Sequence, residues 1–199
     1  GCGNPQVLAQ LRPGEVVLDL GCGGGFDCFL AARKVGEKGQ VIGVDMTPRM
    51  LAQARENASR SGLAHVSFRL GEIEHLPLGD QSVDVVISNC VINLSPDKAQ
   101  VFREVYRVLR PGGRLAIADV VAIAPIPEEI QLDEAALCGC VGGAAPAEAL
   151  RKMLLEAGLS QIAITVKPES EALIRDWFPQ GGVEAYVRSA LITARKKEA

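Results

Sequence analysis

The segment VLDLGCGGGFD, at Val17–Asp27, constrains the fold more than any other part of the chain. An apolar run passes into a glycine-rich loop and then into a helical pattern, which lets backbone approach a ligand closely and points helix N–H groups at it. Apolar, β-branched runs of this kind occur at Glu15–Leu20, Gln40–Asp45, Val66–Leu70, Val83–Ser88 and Arg114–Val121. Helical patterns separate them, and this alternation predicts an α/β fold with a Rossmann-like, doubly wound and mostly parallel sheet.

The pattern changes after Val121, where a Pro-rich stretch leads into a Gly-rich one and then into a helical pattern over Ala147–Ala157. Two more strands are expected at Ile162–Val166 and Ala190–Arg195. We therefore expect one domain, in which residues 1–121 form the ligand-binding core. Residues 122–199 form an excursion from the sheet after the fifth strand, together with the C-terminal strands.

Composition excludes several classes of function. The net charge is −3, and the basic residues form no cluster beyond Arg195–Lys197, so neither nucleic acid nor an acidic membrane is an expected partner. No apolar run is long enough for a transmembrane helix.

The chain begins at Gly1 without methionine, which is typical of a fragment or a processed form. The six cysteines lack C-x-x-C spacing, which favours free thiols in a reducing cytoplasm.

The glycine loop favours one class of cofactor over another. Its spacing is G-x-G-x-G, and Phe26 stands where a dinucleotide fingerprint has its third glycine, which weakens a nicotinamide reading. Asp45 ends the second predicted strand and is placed to accept hydrogen bonds from both ribose hydroxyls of a nucleoside. Sites for NAD and for S-adenosylmethionine share that arrangement, so Asp45 alone does not distinguish them.

Four motifs make the cofactor more specific. VLDLGCGGG, VIGVD followed by Met46, GEIEHLP at Gly71–Pro77 and VLRPGGRL at Val108–Leu115 occur in the order and spacing of S-adenosylmethionine-dependent methyltransferases. Residues 14–121 thus resemble that family. The resemblance implies that the methionine part is held by Asp19, Gly21, Gly23 and Gly25. It assigns the ribose and adenine to Asp45 and Met46, the adenine edge to Glu72 and Ile73, and Asn89 to the same cofactor set.

The cysteines point to the second substrate. Cys90 follows a predicted strand end, where an open α/β sheet binds its ligands, and Cys138 and Cys140 lie in a Gly-rich loop with little core to join. Cys22 and Cys28 are expected to be core residues. Thiolates prefer soft metals, so a thiol at this place favours a soft acceptor.

Nearly the whole chain is similar to the arsenite methyltransferases, through GCG at Gly1–Gly3, GFDCFLAA, GVDMTP, RLGEIEHLP, SNCVINLSPDK and CGCVGGA. The resemblance implies that Cys2, Cys90 and Cys140 bind arsenic(III), which arrives as a thiol adduct. Its lone pair attacks the cofactor methyl group, so no general base is needed. A thiol reductant such as glutathione or thioredoxin supports further rounds, and the enzyme is cytoplasmic.

Three other functions compete with this hypothesis. A methyltransferase of another small molecule, such as a quinone or a sterol-like acceptor, would leave the cysteines incidental. A nicotinamide-dependent oxidoreductase is disfavoured by Phe26 and by the lack of a persuasive catalytic Tyr–Lys pair or histidine. A non-catalytic thiol protein that binds a metalloid or zinc would show binding without turnover.

Overall fold

The structure is a computed structural model that describes Gly3, Pro5 and residues 9–177 and 182–198, the side chains of residues 137, 138 and 177 excepted. Within these residues the strands are β1 (Val16–Leu20), β2 (Gln40–Asp45), β3 (Val66–Leu70), β4 (Val83–Asn89), β5 (Leu109–Ala122), β6 (Ser160–Val166) and β7 (Val187–Arg195). They form one sheet in the order β3-β2-β1-β4-β5-β7-β6. Strands β1 to β5 pair in parallel, whereas β7 is antiparallel to both β5 and β6.

Helices cover both faces of this sheet. They are α1 (Phe26–Val35), α2 (Pro48–Ser61), α3 (Lys98–Val108), α4 (Glu128–Leu132), α5 (Glu134–Cys138), α6 (Ala147–Glu156) and α7 (Ser170–Trp177), with 3₁₀ turns at Ile92–Leu94 and Val183–Ala185. One core cluster packs α3 and α6 on the sheet, and another packs α1 and α2 on its opposite face. No helix in the described part of the chain is both long enough and apolar enough to span a membrane.

The strand order places the ligand-binding edge. From β1 the chain moves outward through β2 to β3 and then crosses back to β4, which lies on the other side of β1. The order therefore reverses between β1 and β4, and the crevice beyond the carboxyl ends of these strands is where such sheets bind ligands. The glycine loop follows β1 and Cys90 follows β4, so both open into this crevice.

The predicted fold class is confirmed, with corrections at element boundaries. Leu109 begins β5 and pairs with Val83, so this strand starts earlier than the predicted Arg114. The following Pro-Gly-Gly segment is accommodated by a register shift rather than by a break in the strand. Helix α3 begins at Lys98, because Asp97 accepts the amide hydrogen of Gln100 at 2.9 Å and caps the helix.

Candidate active site

The loop between β1 and α1 depends on glycine conformations. Gly21, Gly23 and Gly25 all have positive φ, at 64°, 50° and 89°. A Cβ on Gly21 would lie 2.4 Å from Cγ2 of Val91, so only glycine allows the loop to press against the segment after β4. Gly25 occupies the N-cap of α1 and offers no side chain to cap the helix. The first N–H groups of α1 are thus not capped by that residue.

Asp45 ties this loop to the end of β2. Its Oδ2 accepts the amide hydrogen of Gly23 at 2.9 Å, and its Oδ1 accepts that of Thr47 at the same distance. Thr47 is the N-cap residue of α2 but makes no side-chain capping bond. Because each carboxylate oxygen accepts more than one hydrogen bond, Asp45 retains capacity for ligand hydroxyl groups.

A cavity of about 620 Å³ opens beside this loop. Its volume is in the range that holds cofactor-sized ligands. Of the predicted cofactor residues, those that line it are Gly21, Asp45, Met46, Glu72 and Ile73. Thr47, Glu74, Val91, Leu94, Ser95 and Gln100 also line it and were not predicted. Asp97 adds a fourth carboxylate to those of Asp45, Glu72 and Glu74, so the wall favours a cationic ligand.

Asp19 lies buried at the end region of β1, outside the lining of this cavity. Its Oδ2 accepts a hydrogen bond from Sγ of Cys28 at 3.2 Å. Burial, followed by the negative charge of Asp27, raises the pKa of Asp19 to about 8. A carboxyl perturbed in this way beside a glycine loop is typical of a functional site, and a nearby cation would favour its ionised form.

Asn89 ends β4 and points its amide at two acceptors. Its Nδ2 donates to Oδ2 of Asp27 and to the carbonyl oxygen of Gly3, at 3.2 Å each. Asn89 therefore links β4 to the first turn of α1 and lies outside the cavity lining. Its predicted contact with the cofactor stays a prediction. The acidic groups, the glycine loop and the cavity together fit a cofactor with an adenosine, an ammonium and a sulfonium.

The structure confirms that Cys22 and Cys28 are core residues. Both are free thiols, and both are buried in the core cluster beneath α1 and α2. A hydrogen bond with Cys22 and burial raise the pKa of Cys28 well above its ordinary value. Such thiols behave as small apolar side chains rather than as nucleophiles.

Cys90 and Cys140 meet although 50 residues separate them. The Sγ of Cys140 donates to the carbonyl oxygen of Cys90 at 2.8 Å. Both residues have left-handed backbone, with φ of 55° and 64°, a conformation that non-glycine residues adopt rarely and that clusters at active sites. Cys140 is buried, whereas Cys90 is disulfide-bonded, so the expectation of free thiols is wrong for Cys90.

Cys2, the third predicted arsenic ligand, lies outside the described residues. Its neighbour Gly3 is described, and a Cβ on Gly3 would be 3.0 Å from Cβ of Ala118. The carbonyl oxygen of Ala118 accepts the amide hydrogen of Cys90 at 2.9 Å. Within the ranges that the structure describes, no three His, Cys, Asp or Glu side chains are arranged to hold a metal ion.

Three polar residues near the cysteines were missed by sequence reasoning. Asp119 and Asn93 are both buried, and Nδ2 of Asn93 donates to Oδ1 of Asp119 at 3.0 Å. Burial raises the pKa of Asp119 to about 6. Burial also lowers the pKa of Lys98, whose Nζ donates to the carbonyl oxygen of Ser95 at 3.1 Å. An acid within the apolar run LAIADVV is the one signal that could have found Asp119.

The sheet order, the glycine loop and Asp45 at the end of β2 define a fold of the S-adenosylmethionine-dependent methyltransferase type. A family profile described as "Methyltransferase domain" matches residues 11–158, and the chain belongs to this family.

Relatives narrow the similarity to one branch of that family. The chain is 56% identical over 196 residues to the arsenite methyltransferase of Halobacterium salinarum, covering 98% of this chain and 50% of that protein. It is 50% identical over 151 residues to the arsenite methyltransferase of Aquipseudomonas alcaligenes, covering 72% of this chain and 43% of the relative. The chain thus spans about half the length of these curated relatives or less.

A solved structure agrees with these relatives. The crystal structure of an arsenic(III) S-adenosylmethionine methyltransferase from Chlamydomonas reinhardtii superposes with a TM-score of 0.77 at 39% identity. The match covers 100% of this chain and 68% of that one.

Proposed function

We propose that this chain transfers methyl groups from S-adenosylmethionine to arsenic(III) held by Cys2, Cys90 and Cys140. The observation that carries the proposal is the contact between Cys140 and Cys90 at the ligand-binding edge of the sheet. It is supported by 56% identity to a protein named as an arsenite methyltransferase. The products would be methylated arsenicals and S-adenosylhomocysteine.

The cofactor would be held by the loop, the strand ends and the cavity wall. Asp45 would accept the ribose hydroxyls, Met46 and Ile73 would flank the adenine, and Glu72 would accept from its edge. Asp19, Gly21, Gly23, Gly25 and Asn89 complete the proposed set on the methionine side. When bound, S-adenosylmethionine supplies an electrophilic methyl group; an As–C bond forms as the S–C bond breaks, and the S–C electron pair stays on sulfur.

The thiols would hold and orient the substrate. Three thiolates bind a soft arsenic(III) centre and leave its lone pair free, so the chain needs to position rather than to deprotonate its nucleophile. Cys90 comes from the core of residues 1–121 and Cys140 from the excursion of residues 122–199, so the site would join these two parts. The contact of Gly3 with Ala118 supports a place for Cys2 near Cys90.

A thiol reductant is a further part of the proposal. The disulfide at Cys90 must be reduced to a thiolate before that sulfur can bind arsenic. Glutathione or thioredoxin would supply the two electrons, and either would also present arsenic(III) as a thiol adduct. Both fit a cytoplasmic enzyme.

Arsenic binding without cofactor tests the thiol assignment. The reduced protein, incubated with arsenite, is expected to bind one arsenic with three As–S bonds in its X-ray absorption spectrum. Cys90→Ser should lose this signature, because thiolate coordination needs all three sulfurs to converge. Cys22→Ser is the matched control and should retain it, since the Cys22 side chain is buried in the core. Three As–S bonds in Cys90→Ser would show that the ligand set is wrong.

A further inference from the structure

A buried carboxylate stands beside the two described cysteines. Asp119 lies on β5, one residue beyond the pairing of Ala118 with Asn89, and is therefore level with Cys90. Its Oδ2 accepts the amide hydrogen of Ile92 at 3.0 Å, while its Oδ1 accepts from the amide of Val120 at 2.7 Å and from Nδ2 of Asn93 at 3.0 Å. Asp119 thus fixes the 3₁₀ turn that directly follows Cys90.

Stability alone does not call for an acid at this place. Asp119 is 2% exposed, and its neighbours along β5 are apolar. Burying a carboxylate is costly unless its oxygens are hydrogen-bonded, and a well-packed apolar side chain often serves stability equally well. The three donors on Asp119 instead determine where the turn lies. Such an arrangement is typical of a group that fixes geometry.

Asn93 connects this turn to the loop that carries Cys140. Its Nδ2 also donates to the carbonyl oxygen of Val120 at 2.6 Å, and its own backbone oxygen faces Gly143. A Cβ on Gly143 would lie 2.1 Å from that oxygen, so the two backbones are in direct contact. Gly143 lies three residues after Cys140, whose Sγ donates back to Cys90. The contacts form a closed ring from Cys90 through Asn93 and Gly143 to Cys140.

We propose that Asp119 and Asn93 are positioning residues that hold the Cys90 and Cys140 segments at the separation that arsenic(III) requires. The inference rests on the proposed function, but it concerns side chains outside the proposed set of arsenic ligands. Asp119 anchors the turn after Cys90, and Asn93 transmits this position to the loop of Cys140. Neither touches the arsenic.

Asp119→Asn tests the anchor with little change of shape. An amide presents one NH₂ where the carboxylate has only acceptors, so a donor must face a donor at Ile92, Val120 or Asn93. We expect arsenite affinity of the reduced protein, measured calorimetrically, to fall at least about tenfold, as for a lost hydrogen bond to a charged group. Affinity for S-adenosylmethionine should fall much less than arsenite affinity, since Leu94 of the same turn is only one part of the cofactor cavity wall. Fewer than three As–S bonds should appear in the X-ray absorption spectrum.

Gly143→Ala tests the same contact from the other side without altering charge. The added methyl group would clash with the backbone oxygen of Asn93 and push the Cys140 loop away, so the same selective loss of arsenite affinity is expected. This variant also keeps the proposal testable if Asp119→Asn does not fold.

Two controls match these variants. Asp84→Asn removes a carboxylate that accepts the amide hydrogen of Val16 at 2.8 Å at the opposite end of the sheet. Gly79→Ala adds a methyl group with nothing within 4 Å. Both controls should bind arsenite as the wild type does.

Wild-type arsenite affinity in both Asp119→Asn and Gly143→Ala would overturn the proposal. So would equal losses of arsenite and cofactor affinity in these variants, because that result indicates general destabilisation. Failure of the reduced wild-type protein to bind arsenite would overturn the proposed function as well. Arsenite titration of the wild-type protein alone, without any variant, detects that failure.

Discussion

At the scale of the residue, Asp45 combines two roles that usually fall to separate groups. Its carboxylate accepts two backbone amides and so shapes the glycine loop, and the same carboxylate lines the cavity. Asp45 thus holds the glycine loop in place and is also expected to accept hydrogen bonds from the ribose hydroxyls. Asp19 differs, since burial keeps it largely protonated near neutral pH until a cation favours its charge.

Asp45→Ala is expected to weaken binding of S-adenosylmethionine at least about tenfold, because charge-assisted hydrogen bonds contribute about 1.5–3 kcal/mol each. Isothermal titration calorimetry measures the change. Asp80→Ala is the control, since it also removes one negative charge, but at an exposed carboxylate that pairs with Arg107. Unchanged affinity in a folded Asp45→Ala protein would contradict the cofactor assignment.

The raised pKa of Asp19 predicts that the stability of the cofactor-free protein depends on pH. Its pKa rises from an ordinary 3.8 to about 8 on folding, so between these values the native state holds a proton that the unfolded state has lost. Its contribution to stability is therefore fully present below pH 3.8 and is lost as the pH rises towards 8, by up to about 1.4 kcal/mol per pH unit.

Urea unfolding of the wild type and of Asp19→Asn between pH 5 and 8 isolates this effect. The difference in the free energy of unfolding should shift steadily against the wild type as the pH rises. Parallel curves for the two proteins would mean that Asp19 ionises near its ordinary pKa.

At the scale of the element, the strand–loop–helix unit is the part that sequence predicts best. The strand β1, the glycine spacing and the helix α1 follow from local pattern, because each depends on residues close in the chain. The conformation of each glycine does not follow from spacing. Gly21 and Gly23 both have positive φ, yet only Gly21 faces a neighbour, Val91.

This difference makes Gly21→Ala and Gly23→Ala a matched pair. Alanine with positive φ costs about 1–2 kcal/mol at either position. At Gly21 the clash with Val91 adds roughly 1–3 kcal/mol of overpacking, whereas nothing lies within 4 Å of a Cβ at Gly23. Urea denaturation should therefore find Gly21→Ala the less stable variant. Equal stabilities would contradict the close approach of the loop to the segment after β4.

At the scale of the whole molecule, the sheet order brings distant segments to one edge. Cys90 follows a central strand, and Cys140 lies beyond β5 in the excursion. Their contact spans 50 residues, and no local pattern encodes it; only the family resemblance suggested it. Sequence analysis missed two further features for the same reason. They are the antiparallel direction of β7 and the buried hydrogen bond between Asn93 and Asp119. Both depend on tertiary contacts rather than on local pattern.

Methyl transfer to arsenite tests the central claim most directly. The reduced protein is incubated with arsenite, methyl-labelled S-adenosylmethionine and excess thiol, and the arsenic products are separated and counted. We expect labelled methylarsenicals, with one S-adenosylhomocysteine formed for each methyl group transferred, and no such products from Cys90→Ser. If the wild-type protein binds both arsenite and S-adenosylmethionine but forms no methylarsenical, it is a thiol-based metalloid binder and the account is wrong.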